Sequence, residues 1–426
     1  MDAANTLLDR ILREYAVKID RRTFTGIKIQ EIDEGIDGEL LRSALTKLIR
    51  ERKIDIISSE TQLNPHIKRL PPPSIDVQIQ KLNVSERYHT CIYPTPTLVS
   101  EKFNLTALNE LPFTKQLASG GPQLSPLFFE VGVIDRYRQD PRYSFKFSEY
   151  AGTISTLTES DKTGSIPERD QISVQTFGLG MDNDHNPLVC VFLRYLSQLS
   201  PEHQRHWQTY LAASPALMHK NYYKPSILGE VWENNSGISA LRFAIASINK
   251  VCMKIWAVPL FLNEVPENVH YNLSPFMRPT KSDYLSFAHE LDKIISENIN
   301  PTFFEGKLER YSLVNHADGT IERKSKGTIT LLEEWLFANR RIAESDAAEV
   351  RREIIEPLRK VRRERQPGAH SIIKNEFDIK YTDLRRKILR DTAFAIGNIL
   401  FMLMSHSNAP RIRLPKWFEE GRIEVI

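Results

Sequence analysis

The stretch EPLRKVRRERQPGAHSI, Glu356–Ile372, decides how the C-terminal third of this chain is read. Four arginines and a lysine fall between Arg359 and Arg365, and Pro367, Gly368 and His370 follow. The stretch closes a helical segment, SDAAEVRREIIEPLRKVRRER, which Ser345 can cap and Pro357 should kink. Pro-Gly should then end it, so that an arginine and His370 meet around a helix break. Four residues separate Arg365 from His370, and six separate Arg363 from it. Residues 351–390 hold 13 Lys and Arg against 6 Asp and Glu, a surplus of +7 in a chain whose total is +3. Such a concentration fits phosphate binding.

The flanking sequence is helical too. SDYLSFAHELDKIISENI puts Tyr284, Leu285, Ala288, Leu291, Ile294 and Ile295 on a common face. GTITLLEEWLFANRRIA is a second helix, and YTDLRRKILRDTAFAIGNILFMLM follows the basic stretch as the last of four. Four helices over 279–410 predict an up-and-down bundle, with 411–426 as a tail. Thr392–Met404 is the most apolar segment, but its 13 residues are too few to span a bilayer. It reads as a buried helix or a subunit interface.

A helical bundle carrying an R-x(4–6)-H motif resembles the HEPN superfamily, whose members include many metal-independent ribonucleases of prokaryotic toxin and defence systems. The resemblance covers about residues 280–408. It implies a site assembled from two bundles, usually across a homodimer, that cuts RNA through its own 2′-OH without a cofactor or metal. Histidine titrates near neutral pH and can move the protons of that reaction. A guanidinium fork can hold the charge that develops on phosphorus. On this reading His370 is the general acid or base, and Arg365, or alternatively Arg363, steadies the scissile phosphate. Lys360, Arg362 and Gln366 would bind the RNA backbone. The family pattern usually sets Asn, Asp or His straight after the arginine. Here Gln366 follows Arg365 and Glu364 follows Arg363, so the choice of arginine stays open.

At the other end, residues 1–74 read as helix, short strand, helix, strand. NTLLDRILREY is amphipathic, with charges running through its apolar residues rather than a secretory leader's core. FTGIKI is strand-like, Asp37 can cap the helix GELLRSALTKLIRER, and KIDIIS follows as a strand with HIKRL as its expected partner. PPPS, Pro71–Ser74, closes the unit as a stiff linker. This order resembles a winged helix-turn-helix domain, with Arg42, Ser43, Thr46, Lys47 and Arg50 on the face that would meet DNA phosphates and base edges. Residues 1–60 hold 11 Lys and Arg against 12 Asp and Glu, so the head has no overall basic footprint.

Between them, 75–278 reads as a mixed α/β domain with several alternating strands. His203 and His206, three apart in HQRHW, find no third metal ligand nearby and read as part of a surface helix. DNDHNP reads as a turn. The aromatics of YSFKF read as core. Cys91, Cys190 and Cys252 form neither a disulfide framework nor a zinc quartet, which fits a cytoplasmic protein. P-loop, serine-hydrolase and zinc-protease motifs are missing from the sequence. The expectation is an α+β multidomain protein: winged-helix-like head, α/β middle, HEPN-like tail. Its partners would be RNA at the tail, DNA at the head, a second copy of the chain and other defence proteins, with no membrane. The leading function is a defence-type endoribonuclease. The alternative is a non-catalytic DNA-binding regulator or adaptor that dimerises through the tail.

Overall fold

The computed structural model describes residues 3–425 apart from 69–70, 158–165, 232–234, 268, 317–319, 341, 343 and 371–373; the side chains at 148, 339–340, 344 and 366–370 also lie outside the description. The protein is a mixed α+β chain of two compact units. One runs to Lys146 and resumes over Ala151–His219. The other takes Phe147–Tyr150 and everything from Lys220 onward.

The first unit opens with helix α1 (Ala3–Asp20), which buries Leu7, Leu8, Ile11 and Tyr15. After the short strand β1 (Ile27–Lys28), helix α2 (Gly38–Arg50) buries Leu41, Ala44, Leu45, Leu48 and Ile49. Asp37 caps α2 as the sequence indicates, its carboxylate accepting from the backbone N–H of Glu39 at 3.0 Å. Leu40, which shares the apolar spacing, stays half exposed at the first turn.

Among the described residues, strand β2 (Ile54–Ser58) does not take its partner from His66–Lys68. Its partner is β3 (Thr90–Pro94), which lies between β1 and β2 in a three-stranded antiparallel sheet. The Pro-rich stretch therefore lies inside this structure. Ser74 caps a short helix, α3 (Ile75–Gln80), and buried Gln78 accepts the N–H of Ile56 at 2.7 Å. Ile92, Leu98 and Val99 share one apolar core with α1 and α2. The sequence shows TCIYP to be a strand but carries no local mark of which sheet it joins.

The rest of the unit is an antiparallel sheet of β4 (Pro126–Glu130), β5 (Tyr143–Ser148), β6 (Ala151–Thr156), β7 (Ser173–Asp182) and β8 (Pro187–Phe192). Their order is β4-β8-β7-β6-β5, and β9 (Ala216–Met218) also pairs with β7. The DNDHN segment is the β7–β8 turn: Asp182 accepts the N–H groups of Asp184 at 3.0 Å and Asn186 at 2.8 Å. Helix α4 (Pro201–Thr209) is a correction to the surface helix expected for HQRHW. His203, Gln204 and Trp207 are buried, because Gln204 bonds the backbone of Phe113 and Thr114 and His203 bonds the Tyr137 hydroxyl at 2.9 Å. His206 is engaged by the Val133 carbonyl at 3.0 Å.

The second unit is mostly helical. Helix α5 (Gly237–Trp256), read from sequence as part of the middle domain, packs its Leu241, Ala244, Ile248 and Val251 into the same core as the later helices. α6 (Lys281–Ile294) follows, then an unforeseen hairpin of β10 (Tyr311–Asn315) and β11 (Ile321–Ser325). Its strands are largely exposed, so they lack the alternating burial that marks a strand in sequence. Helices α7 (Thr328–Arg340) and α8 (Glu344–Val350) lead to a π-helical turn, Arg351–Ile355, directly before Pro357. That turn is where the chain absorbs the proline's missing N–H.

Helix α9 (Glu356–His370) then runs through Pro367 and Gly368, correcting the expected break. One lost backbone bond does not stop a helix anchored by Leu358 and Val361 in the core. The last long helix, α10 (Lys380–Met404), buries Ile388, Leu389, Ile396, Ile399 and Leu403. Among the described residues no helix is long and apolar enough to cross a membrane. The tail is not an appendage: Phe418 is buried in this core, and Glu424 bridges to Ser236.

Truncating Ile92 to alanine should cost about as much as Leu45→Ala, roughly 2–5 kcal/mol each, because both are fully buried in one core. Urea denaturation of the two variants checks this. A negligible cost at Ile92 would mean that the head is complete by Ser74.

Candidate functional site

Helix α9 carries the cations that the sequence singles out. Ion pairs from outside the helix engage two of them. The Arg359 guanidinium meets Glu333 on α7 at 2.5 Å, and Arg365 meets Asp292 on α6 at 2.6 Å and also Glu297. Asp292 has no solvent exposure, and Ser296 donates to it as well. The bond to Asp292 pushes the Arg365 pKa above its ordinary value. Two carboxylates thus compensate the Arg365 charge, and the buried one commits it to the fold.

Arg363 differs. It is exposed, and its partner Glu356 lies on the same helix and is exposed too. Such pairs are weak and readily exchanged. Arg362 is exposed and Lys360 half-buried. The unbroken helix also changes the relation to His370. Positions 365 and 370 stand about 140° apart around the axis, whereas 363 and 370 return to within about 20° of each other, some 10 Å along it. The side chains of Gln366 and His370 lie outside the described residues. At the head, α2 presents Arg42, Ser43, Lys47 and Arg50 to solvent, with Thr46 half-buried.

A second site went unseen in the sequence. A cavity of about 30 Å³ in the helical unit lies at the N-terminus of α5. Glu149 and Tyr150, at the tip of the β5–β6 hairpin, line it together with Ser236 and Arg242 of α5, Arg385 of α10 and Glu424 of the tail. Glu149 holds a left-handed backbone, φ +54°, unusual for a residue with a side chain. It accepts from the Ser239 hydroxyl, and Arg242 stands 3.8 Å away. Burial nevertheless raises its pKa, outweighing those bonds and the cation.

Arg385 is 4% exposed, donates to the Ser274 carbonyl at 3.0 Å and lies 5.1 Å over the Phe287 ring. Burial, then the like charge of Arg386, lowers its pKa to about 9. The signal for Arg385 was present: it falls at i+4 from Tyr381 and four before Leu389, inside the buried stripe of α10. A charge on that stripe marks a polar site within a core. Glu149, in a short turn between strands, has no such signal.

Comparison with protein-family models, with curated proteins and with solved structures finds no match.

Arg365→Ala should destabilise the fold by about 1–3 kcal/mol, since it strands the buried Asp292 while one partner end stays partly solvated. Arg363→Ala should stay within about 0.5 kcal/mol of the parent. Equal midpoints in denaturation would refute the assignment.

Glu149 supplies a pH test. A carboxyl whose pKa is raised by folding binds its proton more tightly in the folded state, so stability falls as pH rises from the unfolded pKa through the folded one. Glu149→Gln should remove that slope and match or exceed the parent's stability at pH 7, with the gap closing toward pH 4.5. Denaturation midpoints across this range are the measurement. A variant weaker at pH 7 than at pH 5, relative to the parent, would mean that the ionised form holds the site together.

Proposed function

We propose that this chain is a nucleic-acid-directed, metal-independent endoribonuclease of the prokaryotic defence type, working on the exposed cationic face of α9. Arg363, rather than Arg365, is the arginine that acts with His370. What supports this reading is the helical register of positions 363 and 370, together with the engagement of Arg365 by Asp292 and Glu297.

The chemistry follows from the residue types. The 2′-OH of RNA attacks the adjacent phosphorus, the new O2′–P bond forms and the P–O5′ bond breaks. The products are a 2′,3′-cyclic phosphate and a free 5′-OH. His370 takes the 2′-OH proton or supplies one to the leaving oxygen, and a second copy of the chain provides the complementary group. The Arg363 guanidinium holds the charge on the phosphorane, and Lys360 and Arg362 bind the flanking backbone.

One observation favours the second reading, a DNA-binding regulator that uses the head. The strand order β1-β3-β2 beside α2 is the arrangement expected of a winged helix, and α2 turns Arg42, Ser43, Lys47 and Arg50 outward.

Labelled single-stranded RNA incubated with the chain in excess EDTA should yield cyclic-phosphate ends. His370→Ala and Arg363→Ala should each slow cleavage by about 10²-fold or more, while Arg365→Lys should retain it. Undiminished cleavage by His370→Ala overturns the catalytic assignment. The same preparation titrated with labelled duplex DNA at several salt concentrations tests the second reading, which requires binding that weakens steeply with salt and on loss of Lys47 and Arg50.

A further inference from the structure

We propose that the exposed ring of Phe377 is a stacking platform for an unpaired base of the RNA strand that the cationic face of α9 draws in, so that the substrate is single-stranded where it meets this segment. This role rests on the ribonuclease reading above.

The segment KNEFDIK, Lys374–Lys380, lies between α9 and α10 and is held on both sides of the ring. The Asp378 N–H donates to the Pro279 carbonyl at 2.8 Å, and the Glu376 carbonyl accepts the Lys281 N–H at 3.0 Å. Phe377 itself bridges to Thr280, just before α6. The Asn375 side chain accepts the N–H of Ser282 at 2.9 Å. The Tyr381 hydroxyl donates to the Glu376 carboxylate, and Asp378 accepts the N–H of Lys380 at 2.9 Å. The ring on this pinned backbone is nevertheless 75% exposed, and Ile379, two residues on, is 50% exposed. Packing within the fold therefore does not account for an aromatic side chain here. A ring already fixed in place binds a partner with little further ordering cost.

The ring is a neighbour of the cationic face. Burial, and then the adjacent carboxylate of Glu364 on α9, raise the pKa of Tyr284. The Tyr284 ring lies 5.8 Å from that of Tyr381, whose hydroxyl meets Glu376. One chain of contacts thus runs from Glu364, the residue after Arg363, to the residue before Phe377. An RNA strand held by a phosphate at Arg363 would have the ring within its reach.

The surroundings of the ring select its occupant. Lys374 and Lys380 are exposed on either side of it, and Glu376 and Asp378 flank it directly. Lys380 compensates both acids, at 3.4 Å from Glu376 and 2.9 Å from Asp378. The core of a protein–protein interface is depleted of such charges. A phosphate over the ring would meet the two carboxylates, whereas a nucleobase is neutral and needs only a π-face. The phosphates beside that base can lie toward Lys374 and α9. A base inside a duplex is already stacked on its neighbours and offers Phe377 no free face, so the strand must be unpaired there.

The probe is a 5′-labelled single-stranded RNA carrying 2′-O-methyl groups, which cannot attack its own phosphates. Its fluorescence anisotropy is followed as the full chain is added in excess EDTA at several salt concentrations. Phe377→Ala and Phe377→Leu should each weaken binding about tenfold, with the slope of affinity against salt unchanged because no phosphate contact is lost. Phe377→Trp should keep the parent's affinity, and Arg363→Ala should reduce the slope. The same strand annealed to its complement should not distinguish the parent from Phe377→Ala. Because the ring is exposed, the variants should unfold at the parent's midpoint. Salt-dependent binding of equal strength by the parent and Phe377→Ala, or by the parent and Phe377→Leu, overturns the platform and leaves the ribonuclease reading standing. Parent binding that is absent or indifferent to salt overturns both. A shift to monomer in sedimentation on Phe377→Ala, with RNA affinity unchanged, overturns the platform by placing a second copy of the chain on the ring.

Discussion

A carboxylate shut away from water has to be neutralised, and at Asp292 the cation that does so is Arg365. The constraint is severe, because an unpaired buried charge costs several kcal/mol, enough to unfold a typical domain together with one or two other lesions. It ties α9 to α6 at a fixed point along both helices. It also decides which arginine is available for chemistry. An arginine that satisfies a buried acid is part of the fold. One that faces an exposed glutamate on its own helix, as Arg363 faces Glu356, can release that partner to a phosphate at little cost.

The same physics organises the cavity at α5. Arg385 and Glu149 are both desolvated, and their pKa values move in opposite directions, each toward its neutral form. Ionisable groups in a low-dielectric wall respond strongly to any charge brought beside them. A strained backbone at Glu149 and the absent Cβ at Gly237 show how much of the local geometry is committed to this arrangement.

Much of the fold was legible where one face of an element is buried. The stripes of α1, α2 and α6, the Asp37 cap and the Asp182 turn all follow from local sequence. Pairings were less legible, because a strand such as TCIYP, buried throughout, carries no mark of its sheet. The π turn before Pro357 and the run of α9 through Pro367 show tertiary packing overriding a residue's local preference, in one case by adjusting the helix and in the other by ignoring the breaker. Arg385 was legible in principle, as a cation at the spacing of a buried stripe.

The basic stretch shows why counting charges along a sequence overstates a binding surface. The +7 surplus over 351–390 includes only the acids that lie in that window. Folding adds Glu333 from α7, Asp292 from α6 and Glu297 just beyond it, which between them engage Arg351, Arg359 and Arg365. These acids are distant in sequence and adjacent in space. The field left to attract a polyanion comes from cations on the outer side of α9 and from Lys387 and Arg390 on α10, which are exposed. Such a surface is smaller than the composition implies and more directional. Its centre lies at Arg362 and Arg363 rather than at Arg365, and a strand of RNA drawn to it would meet α9 along the face that position 370 shares with Arg363.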